Sequence, residues 1–248
     1  MSDHKIQPNA RVSESQAGSG KLDEAEKPTP GENDPQWLPE PSNAYRFVKR
    51  LLDVVVSLLS LIILLPAMVV IAIVVRLTSE GPVFLRLTRL GYHGRPFTLL
   101  KFRTMYSDQS ANVHREYVQR LIDGDFHGKD RSFSISDDPR VTPLGSLLRR
   151  VSLDELPQFL NVLRGDLSLV GPSAPMPYEW DHYAVGQKLR LSCKPGVTSL
   201  WMVTGKKEMT FDEMVRLDIE YARHPSILSD LRILLLTPLA VLEDKAAY

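Results

Sequence analysis

The sequence contains little that could build a covalent framework or a zinc cage. Cys193 is its only cysteine, so an intrachain disulfide network and a cysteine-based metal site are both excluded. Its six histidines are scattered without the spacing of metal ligands. The Walker, G-x-S-x-G and H-E-x-x-H motifs are also absent, which argues against P-loop, serine hydrolase and zinc protease chemistry.

A surplus of positive charge is missing as well. Lys and Arg number 30, Asp and Glu also number 30, and the formal net charge is zero. Nucleic acid is therefore not an expected partner, because neutralising its phosphates requires a surplus of basic residues on the binding face. The charge is nevertheless uneven: residues 1–44 hold four basic and eight acidic side chains, whereas residues 45–104 hold nine basic and two acidic ones.

The first 44 residues are poor in large apolar side chains and contain six prolines. Such a segment cannot bury enough surface to offset its conformational entropy. It does not have the basic start and apolar core of a signal peptide. We therefore predict that residues 1–44 form a disordered, acidic, proline-rich tail.

A long apolar run follows this tail. Residues 54–75 are 22 consecutive positions without a charge, and as a helix they would extend about 33 Å, enough to cross the hydrocarbon core of a bilayer. Pro66 lies near the middle of the run and removes a backbone hydrogen bond there. We predict a membrane-inserted helix over residues 45–78.

Two arrangements of this helix are compatible with the sequence. Basic residues flank both ends of the run, with Arg46, Lys49 and Arg50 before it and Arg76 after it. Because positive charge favours the cytoplasmic side, a re-entrant helix–break–helix hairpin with its break at Pro66 suits both flanks. The alternative is a kinked helix that spans the membrane, since proline is tolerated in membrane helices.

The remainder of the chain, residues 79–248, is long enough for one polar domain. Residues 97–102 are predicted to form a short strand or a buried segment, and the last apolar stretch, 227–242, suits contact with a membrane or a core. The fold class is therefore α/β, mostly helical and membrane-associated. Helices are predicted at 145–151, 156–163 and 211–221.

Asp154 and Glu155, in the string SLDELP (152–157), are the candidate catalytic residues. Adjacent carboxylates can share a divalent cation, and one of them can attack phosphorus as a nucleophile. Pro157 fits inside the first turn of a helix that begins near Asp154, which would put both carboxylates at the positive end of that helix. The alternative is a purely structural role, in which these carboxylates cap the helix.

Basic residues near this string suit phosphate chemistry. Lys101 and Arg103 are two positions apart and would face the same side of a strand. Arg149 and Arg150 lie just before the carboxylate pair. Clustered Arg and Lys stabilise phosphoryl oxygens through charge-assisted contacts, although they can also attract anionic lipid head groups.

Taken together, these strings resemble the bacterial sugar transferase family, the monotopic polyprenyl-phosphate phosphoglycosyl transferases, over about residues 45–242. The most specific block is SLDELPQFLNVLRGDLSLVGP (152–172). The chain looks like the minimal catalytic form of the family. The other matching stretches, in family order, are an apolar segment with a central proline, KFRTM (101–105), DDPRVTPLGSLLRR (137–150), KPGVTSLW (194–201) and DLRILLLTP (230–238).

The resemblance implies a two-step transfer. Asp154 would attack the β-phosphorus of a nucleotide diphosphate sugar, usually a UDP-sugar, and UMP would leave. The phosphosugar would then pass from Asp154 to polyprenyl (undecaprenyl) phosphate. Glu155 would hold Mg²⁺ together with Asp154 and assist proton transfer. The product would start an exopolysaccharide, capsule, O-antigen or glycoprotein glycan.

The resemblance also implies a location and further partners. A monotopic domain with a re-entrant hairpin and short interfacial amphipathic helices would lie on the bacterial inner membrane, with its catalytic region, residues 79–248, at the cytoplasmic face. Membrane lipid, downstream glycosyltransferases and a second copy of the chain are candidate partners. The candidate substrate-binding residues are Lys101, Arg103, Arg149, Arg150, Lys194 and Lys206.

Some positions depart from the family pattern. Relatives usually continue GP with Arg-Pro, where this chain has Ser173 and Ala174. In the pattern K-P-G-x-T-G-x-W…G-R, Ser199 replaces a glycine and Lys206 an arginine. These departures are the only support for an alternative function, a catalytically idle membrane scaffold that recruits glycosyltransferases through its acidic tail. The intact Asp154 and its neighbours argue against that alternative.

Overall fold

The apolar run forms one long helix in the computed structural model, which describes residues 35–106, 141–204 and 209–243. This helix, α1 (Asn43–Thr78), contains 36 residues. Only 17% of its most apolar 18-residue window is buried in the protein, whereas the core helix of a soluble protein would be mostly buried. Among the described residues, α1 is the one helix long and apolar enough to cross a membrane.

The helix continues through Pro66, so the predicted interruption of the helix at this residue is not present. A proline removes one intrahelical hydrogen bond. Neighbouring residues in an apolar setting keep their own bonds, because no water competes for them. At the start of α1, the Ser42 hydroxyl caps the first turn by accepting a hydrogen bond from the Tyr45 amide.

A β-hairpin follows α1 and confirms the strand predicted at 97–102. Strands β1 (Phe84–Leu90) and β2 (Pro96–Phe102) are antiparallel, and their register pairs the first residue of β1 with the last residue of β2. The connection between them contains a 3-10 turn (Tyr92–Gly94). The side-chain alternation of β2 buries Leu99 in the core.

Short helices and a second small sheet complete the described part of the chain. The helices predicted at 145–151, 156–163 and 211–221 are confirmed with slightly different bounds. In chain order the elements are α2 (Pro143–Arg150), a second 3-10 turn (Leu153–Glu155), α3 (Gln158–Arg164), β3 (Ser168–Val170), α4 (Pro177–His182), α5 (Val185–Lys188), a third 3-10 turn (Leu189–Ser192), β4 (Gly196–Thr198), α6 (Leu200–Val203), α7 (Phe211–Arg223) and α8 (Ile227–Glu243), and β3 is parallel to β4.

Both halves of α1 pack against the rest of the protein, each in a different apolar cluster. Leu52 and Val56, in the first half, contact a cluster that includes residues of α3, β3, α7 and α8. Met68, Ile71 and Val75, in the second half, belong to a cluster with β2 and α2. The surface of α1 between these contacts is exposed and apolar. Its exposed residues there are Leu58, Leu59, Ile62, Ile63 and Leu65.

Polar contacts fix the first half of α1 more firmly. The Arg50 guanidinium donates to the carbonyl oxygens of Val162 and Leu163, at 2.6 and 2.7 Å, and so satisfies carbonyls at the end of α3. The buried Asp53 carboxylate accepts a hydrogen bond from the Leu169 amide at 3.0 Å. Because these bonds are charge-assisted and mostly shielded from water, they stabilise this docking more than surface bonds would.

The segment that precedes α1 lies on the same domain. The Trp37 ring stacks on His93 with centroids 4.4 Å apart, and the Leu38 amide donates to the Ser192 hydroxyl at 3.0 Å. Composition assigned residues 35–44 to the tail, because proline and polar residues dominate there, but their contacts depend on partners distant in sequence. The residues just before α1 and the residues after it therefore belong to the same domain.

A buried ion pair joins α7 to the third 3-10 turn. The Arg190 guanidinium donates to the Asp218 carboxylate, and each residue is only 1% exposed. Arg190 also donates to the Tyr183 hydroxyl at 3.3 Å. Breaking such a pair leaves one charge buried and uncompensated, which costs more than the pair itself contributes.

Asp218→Asn should therefore lower the free energy of unfolding by about 3 kcal/mol, because Arg190 keeps its charge without a counterion. Thermal and denaturant unfolding of the detergent-solubilised protein would measure this change. The matched control is Asp212→Asn, an exposed position on the same helix, with an expected effect below about 1 kcal/mol. Equal losses in the two variants would contradict the assignment of a buried ion pair.

Candidate active site

The two candidate carboxylates lie in the short 3-10 turn between α2 and α3. Ser152 precedes them with φ 54° in the left-handed region, and the chain turns sharply there. Neither carboxylate acts as a side-chain cap for α3: Pro157 occupies the position before its first residue, and no side-chain capping bond forms there. Asp154 and Glu155 therefore do not cap α3, which was the alternative, structural role considered for them.

This turn lies beside an apolar cluster that the second half of α1 shares with β2 and α2. Leu153 and Leu156 immediately flank the two carboxylates, and both pack against this cluster, which contains Met68, Ile71 and Val75 of α1. The apolar neighbours of the carboxylates are thus part of the packing that joins α1 to the domain. Asp154 itself is only 6% exposed.

Lys101 links β2 to both carboxylates. Its ammonium nitrogen lies 2.5 Å from Glu155 Oε1 and 3.8 Å from Asp154 Oδ2. Burial raises the pKa of Asp154 above its usual range, Lys101 opposes this shift, and the Glu155 charge adds to it. The predicted role of Lys101 in binding the substrate phosphate stays a prediction, and the structure places its ammonium beside both carboxylates.

Arg149 is positioned by Thr104. Its Nε donates to the Thr104 hydroxyl at 3.0 Å, and its charge acts on Asp154 in the direction that lowers the carboxyl pKa. The Thr104 carbonyl accepts from the Thr142 amide at 2.9 Å, which ties the strand to the start of α2. Arg150, next to Arg149 at the end of α2, is exposed.

Arg103 does not join this group. Its guanidinium donates to the carbonyl oxygens of Val75, Ser79 and Pro82 at the end of α1, and to the Ser79 hydroxyl. The expectation that Arg103 binds phosphate is not supported by these contacts. The prediction treated Arg103 as a strand residue facing the same side as Lys101, but β2 ends at Phe102, so the alternation of a strand does not extend to it.

Lys194 also lies away from the carboxylates. It is near Gly165 and Arg50, at the end of α3 opposite to the one that follows Glu155. Burial and the nearby Arg50 charge lower the pKa of Lys194. The structure therefore does not bring Lys194 into the carboxylate group. Lys206 and residues 137–140 of the family-like strings fall outside the described residues.

Asn161 is the residue that sequence reasoning missed. It is fully buried in α3; its side-chain oxygen accepts from the Leu100 amide at 3.0 Å, and its side-chain nitrogen donates to the Thr98 carbonyl at 2.7 Å. These bonds attach α3 to β2 and so keep Lys101 opposite the carboxylates. An Asn inside the apolar string FLNVL was the available signal, because buried amides need partners.

The departures from the family pattern have local structural roles. The Ser173 hydroxyl accepts from the Trp201 indole N–H at 3.1 Å. Ser199 caps α6, with its hydroxyl accepting from the Met202 amide. The Ala174 carbonyl accepts from Arg89 at 3.0 Å, so a cationic side chain does lie beside the position where relatives carry arginine.

The donor set at this site suits a hard divalent cation. Within the described residues, no group of three or more His, Cys, Asp or Glu side chains could hold a metal. Magnesium, however, is often held by one or two carboxylates with water and substrate phosphates as the other ligands. The adjacent oxygens of Asp154 and Glu155, which share one Lys101 ammonium, fit that requirement.

Comparison with known proteins identifies the family. The sequence profile of the bacterial sugar transferase family matches residues 44–244, and the chain belongs to this family. The galactosyl transferase CpsE of Streptococcus agalactiae is 40% identical over 201 residues, which cover 80% of this chain and 43% of the relative. The exopolysaccharide production protein ExoY of Rhizobium meliloti is 34% identical over 219 residues, 86% of this chain and 96% of the relative.

A third relative is the UDP-glucose:undecaprenyl-phosphate glucose-1-phosphate transferase of Escherichia coli. It is 36% identical over 215 residues, which cover 84% of this chain and 43% of the relative. The chain thus spans less than half the length of this relative and of CpsE, but nearly the whole of ExoY.

Asn161→Leu should lower the free energy of unfolding by about 2–4 kcal/mol, because the Leu100 amide and the Thr98 carbonyl lose their buried partners. The matched control is Gln187→Leu, which removes exposed hydrogen bonds and should cost less than about 1 kcal/mol. Denaturant unfolding of both variants measures the difference. A loss no larger in Asn161→Leu than in the control would contradict the role given to Asn161.

Proposed function

We propose that this chain transfers a sugar phosphate from a UDP-sugar to undecaprenyl phosphate at the surface of the bacterial inner membrane. The observation that carries the proposal is the placement of buried Asp154, with Glu155 and Lys101, beside the apolar cluster to which the second half of α1 contributes. One substrate of such a reaction is soluble in water and the other is anchored in lipid. A reactive group at the boundary between the two phases can meet both.

The names of relatives support this choice of substrates. One from Salmonella typhimurium, 36% identical over 82% of this chain, is an undecaprenyl-phosphate galactose phosphotransferase. The relative from Escherichia coli uses UDP-glucose by its name, and ExoY acts in exopolysaccharide production. Because the relatives differ in their sugar, we propose the class of donor and a role at the start of exopolysaccharide-type glycan assembly.

The first chemical step is a displacement at phosphorus. A carboxylate oxygen of Asp154 attacks the β-phosphorus of the UDP-sugar and forms an acyl phosphate bond to the sugar phosphate. The bond between that phosphorus and the oxygen bridging to the α-phosphate breaks, and UMP leaves with its electron pair. Lys101 and Arg149 lie where they can offset the negative charge that gathers around the phosphorus.

The second step returns Asp154 to its starting state. A phosphate oxygen of undecaprenyl phosphate attacks the phosphorus of the Asp154-bound sugar phosphate, and the carboxylate leaves. The product is an undecaprenyl diphosphate sugar. In this proposal Glu155, whose Oε1 lies 2.5 Å from the Lys101 ammonium, takes up a proton from the acceptor phosphate.

Asp154 and Glu155 are the residues that would hold Mg²⁺ in this site. The ion would supply positive charge to the diphosphate of the donor, as divalent cations do in phosphoryl transfer. The residues of the chain would still position the reacting groups, since Asp154 is buried and Lys101 comes from a strand fixed by Asn161.

We propose a re-entrant, monotopic arrangement in which α1 bends at Pro66 without an interruption of the helix, and the contacts at both ends of α1 support it. Before the helix, Trp37 and Leu38 contact the domain through His93 and Ser192. At the other end, Arg103 of the same domain donates to the carbonyls of Val75, in the last turn, and of Ser79, the C-cap. A straight span would carry the first contacts to the opposite side of the bilayer. The basic flanks favour the cytoplasmic side for both ends.

An apolar stripe on α8 supports a second contact with lipid. Asp230 on this helix accepts hydrogen bonds from Tyr45 and Lys49 of α1, so α8 begins beside the first two turns of α1. An exposed apolar face of this size suits the interfacial region of a membrane. The exposed leucines of the stripe, three or four positions apart, are Leu228, Leu231, Leu235, Leu239 and Leu242.

The alternative function, an idle scaffold, is not favoured. Lys101 contacts both Asp154 and Glu155, and a scaffold would have no need to bury Asp154 beside a second carboxylate and a lysine. The substitutions at Ser173 and Ser199, on which the alternative was based, have the local structural roles described above. Downstream glycosyltransferases and a second copy of the chain remain proposed partners.

Asp154→Asn should lower UMP release from UDP-sugars by about a thousandfold or more, because the amide cannot act as the nucleophile. The measurement uses purified protein in nanodiscs with Mg²⁺, undecaprenyl phosphate and a panel of UDP-sugars. The control is Asp181→Asn, an exposed position on α4, with activity close to that of the unchanged protein. Near-normal release by Asp154→Asn would exclude Asp154 as the nucleophile.

Labelling of single cysteines should place both ends of α1 on the cytoplasmic side, because both ends contact one domain. In a Cys193→Ser background, Asn43→Cys and Glu80→Cys should react with a water-soluble maleimide only after the inner membrane is permeabilised. Ile62→Cys, in the exposed apolar middle of α1, should stay unreactive because lipid excludes the reagent. Reaction of Asn43→Cys from the periplasmic side of intact cells would refute the re-entrant arrangement.

A further inference from the structure

Arg103 stands out because a buried cation is bound by backbone oxygens at the end of a membrane-type helix. It is 6% exposed. Its Nη2 donates to the carbonyl oxygens of Ser79 at 2.8 Å and Val75 at 3.3 Å, its Nη1 donates to the Pro82 carbonyl, and its Nε donates to the Ser79 hydroxyl at 3.2 Å. The last carbonyls of a helix have no partner within the helix and carry partial negative charge. Of the carbonyls that Arg103 binds, that of Val75 lies in the last turn of α1 and also accepts from the Ser79 hydroxyl, and that of Ser79 belongs to the C-cap residue.

We infer that Arg103 is a positioning residue, which ties the end of α1 to the strand that carries Lys101 and so sets Lys101 and Arg149 against the Asp154–Glu155 pair. The inference rests on the proposed function, and it concerns a residue that does not touch the substrates. It replaces the expectation that Arg103 is itself a phosphate ligand.

The residues next to Arg103 in the chain contact the residues of the site. Lys101 lies two positions earlier and contacts both carboxylates. Thr104, the next residue, accepts from Arg149 through its hydroxyl and from the Thr142 amide through its carbonyl. A displacement of Arg103 would therefore move two of the cations that face the carboxylates.

The start of α2 leaves little room for such a displacement. A Cβ atom at Gly145 would lie only 2.0 Å from the Thr104 carbonyl oxygen, so helix and strand are in close backbone contact there. Close contact with α2 thus fixes the position of Thr104, and the hydrogen bonds to the end of α1 fix the position of Arg103. Together these contacts restrain the segment that carries Lys101 and binds Arg149.

On the α1 side, the apolar contacts of Val75 link the same end of the helix to the site. Val75, whose carbonyl accepts from Arg103, is 1% exposed and packs in one cluster with Phe102 and Leu148, against which Leu153 and Leu156 also pack. The end of the lysine strand and the carboxylate turn thus share an apolar cluster with the last third of α1. Arg103 is the polar contact that keeps this part of α1 in register with the strand.

The geometry requires the guanidinium of arginine, and a positive charge alone is not enough. The guanidinium reaches four different oxygens from three nitrogens held in one plane, whereas an ammonium is a single point charge on a flexible chain. Lysine at this position would satisfy only some of the carbonyls. A phosphate ligand behaves differently, because lysine retains the charge that attracts phosphate.

The test compares Arg103→Lys and Arg103→Gln with the control Arg216→Gln, an exposed arginine on α7. Each full-length protein is reconstituted in nanodiscs, and kcat and KM are measured for the UDP-sugar that the unchanged chain uses. Only the monodisperse, folded fraction is assayed, so that poor folding does not count as lost turnover. Hydrogen exchange of the backbone amides of residues 76–83 is measured on the same samples.

We expect both Arg103 variants to lose about tenfold to a hundredfold in kcat, because a displacement of about 1 Å in a positioned group has effects of this size. The donor KM should change by less than about twofold, since Arg103 does not bind the donor. Exchange at residues 76–83 should rise in both variants and stay unchanged in Arg216→Gln. If Arg103 were a phosphate ligand, lysine at position 103 would restore much of kcat. A low kcat in Arg103→Lys therefore distinguishes a positioning residue from a phosphate ligand.

Three results would overturn the inference. In the first, Arg103→Lys keeps normal turnover while Arg103→Gln raises the donor KM tenfold, which would make Arg103 a phosphate ligand. In the second, both variants leave exchange at residues 76–83 unchanged. In the third, both keep normal kcat. If the unchanged chain transfers no sugar phosphate, the proposed function fails, and the exchange measurement alone then supports or overturns the tie between Arg103 and α1.

Discussion

The docking of both halves of α1 on one polar domain is the constraint on which the rest of the structure depends. The first half is held by Arg50 and Asp53, the second by Val75 and its apolar neighbours. Between these contacts the helix exposes only apolar side chains. Lipid can cover that middle section, because burying its leucines and isoleucines is favourable by about 1.5–3 kcal/mol for each side chain. In the arrangement proposed here, the polar domain would then lie at the lipid surface.

This constraint explains the placement of the reactive groups. Leu153 and Leu156 pack against the apolar cluster that includes the second half of α1, so under the proposed membrane arrangement the turn that they flank would hold Asp154 and Glu155 near the lipid. Lys101 offsets part of their charge. The low exposure of Asp154 strengthens every electrostatic contact made there. A lipid-anchored phosphate and a soluble nucleotide sugar could both approach such a site, which is the physical basis of the proposed transfer.

The sequence was informative where short-range patterns decide the structure. The strand β2, the carboxylate pair and the adjacent basic residues all lie in short strings, and Lys101 does lie 3.8 Å from Asp154. Contacts between residues far apart in the chain could not be predicted from the sequence. Composition could not show that Trp37 stacks on His93, nor that the end of α1 takes up the donors of Arg103. Asn161 was overlooked for the same reason, since its partners lie on β2, about sixty residues earlier in the chain.

The most direct test of the account is the detection of a covalent intermediate. Purified protein would be mixed with Mg²⁺ and its UDP-sugar in the absence of undecaprenyl phosphate, and peptides would then be analysed by mass spectrometry under conditions that preserve acyl phosphates. The account predicts a sugar phosphate on the peptide that contains Asp154, which disappears when undecaprenyl phosphate is added. An active protein that forms no adduct, or forms it on another residue, would contradict the central claim.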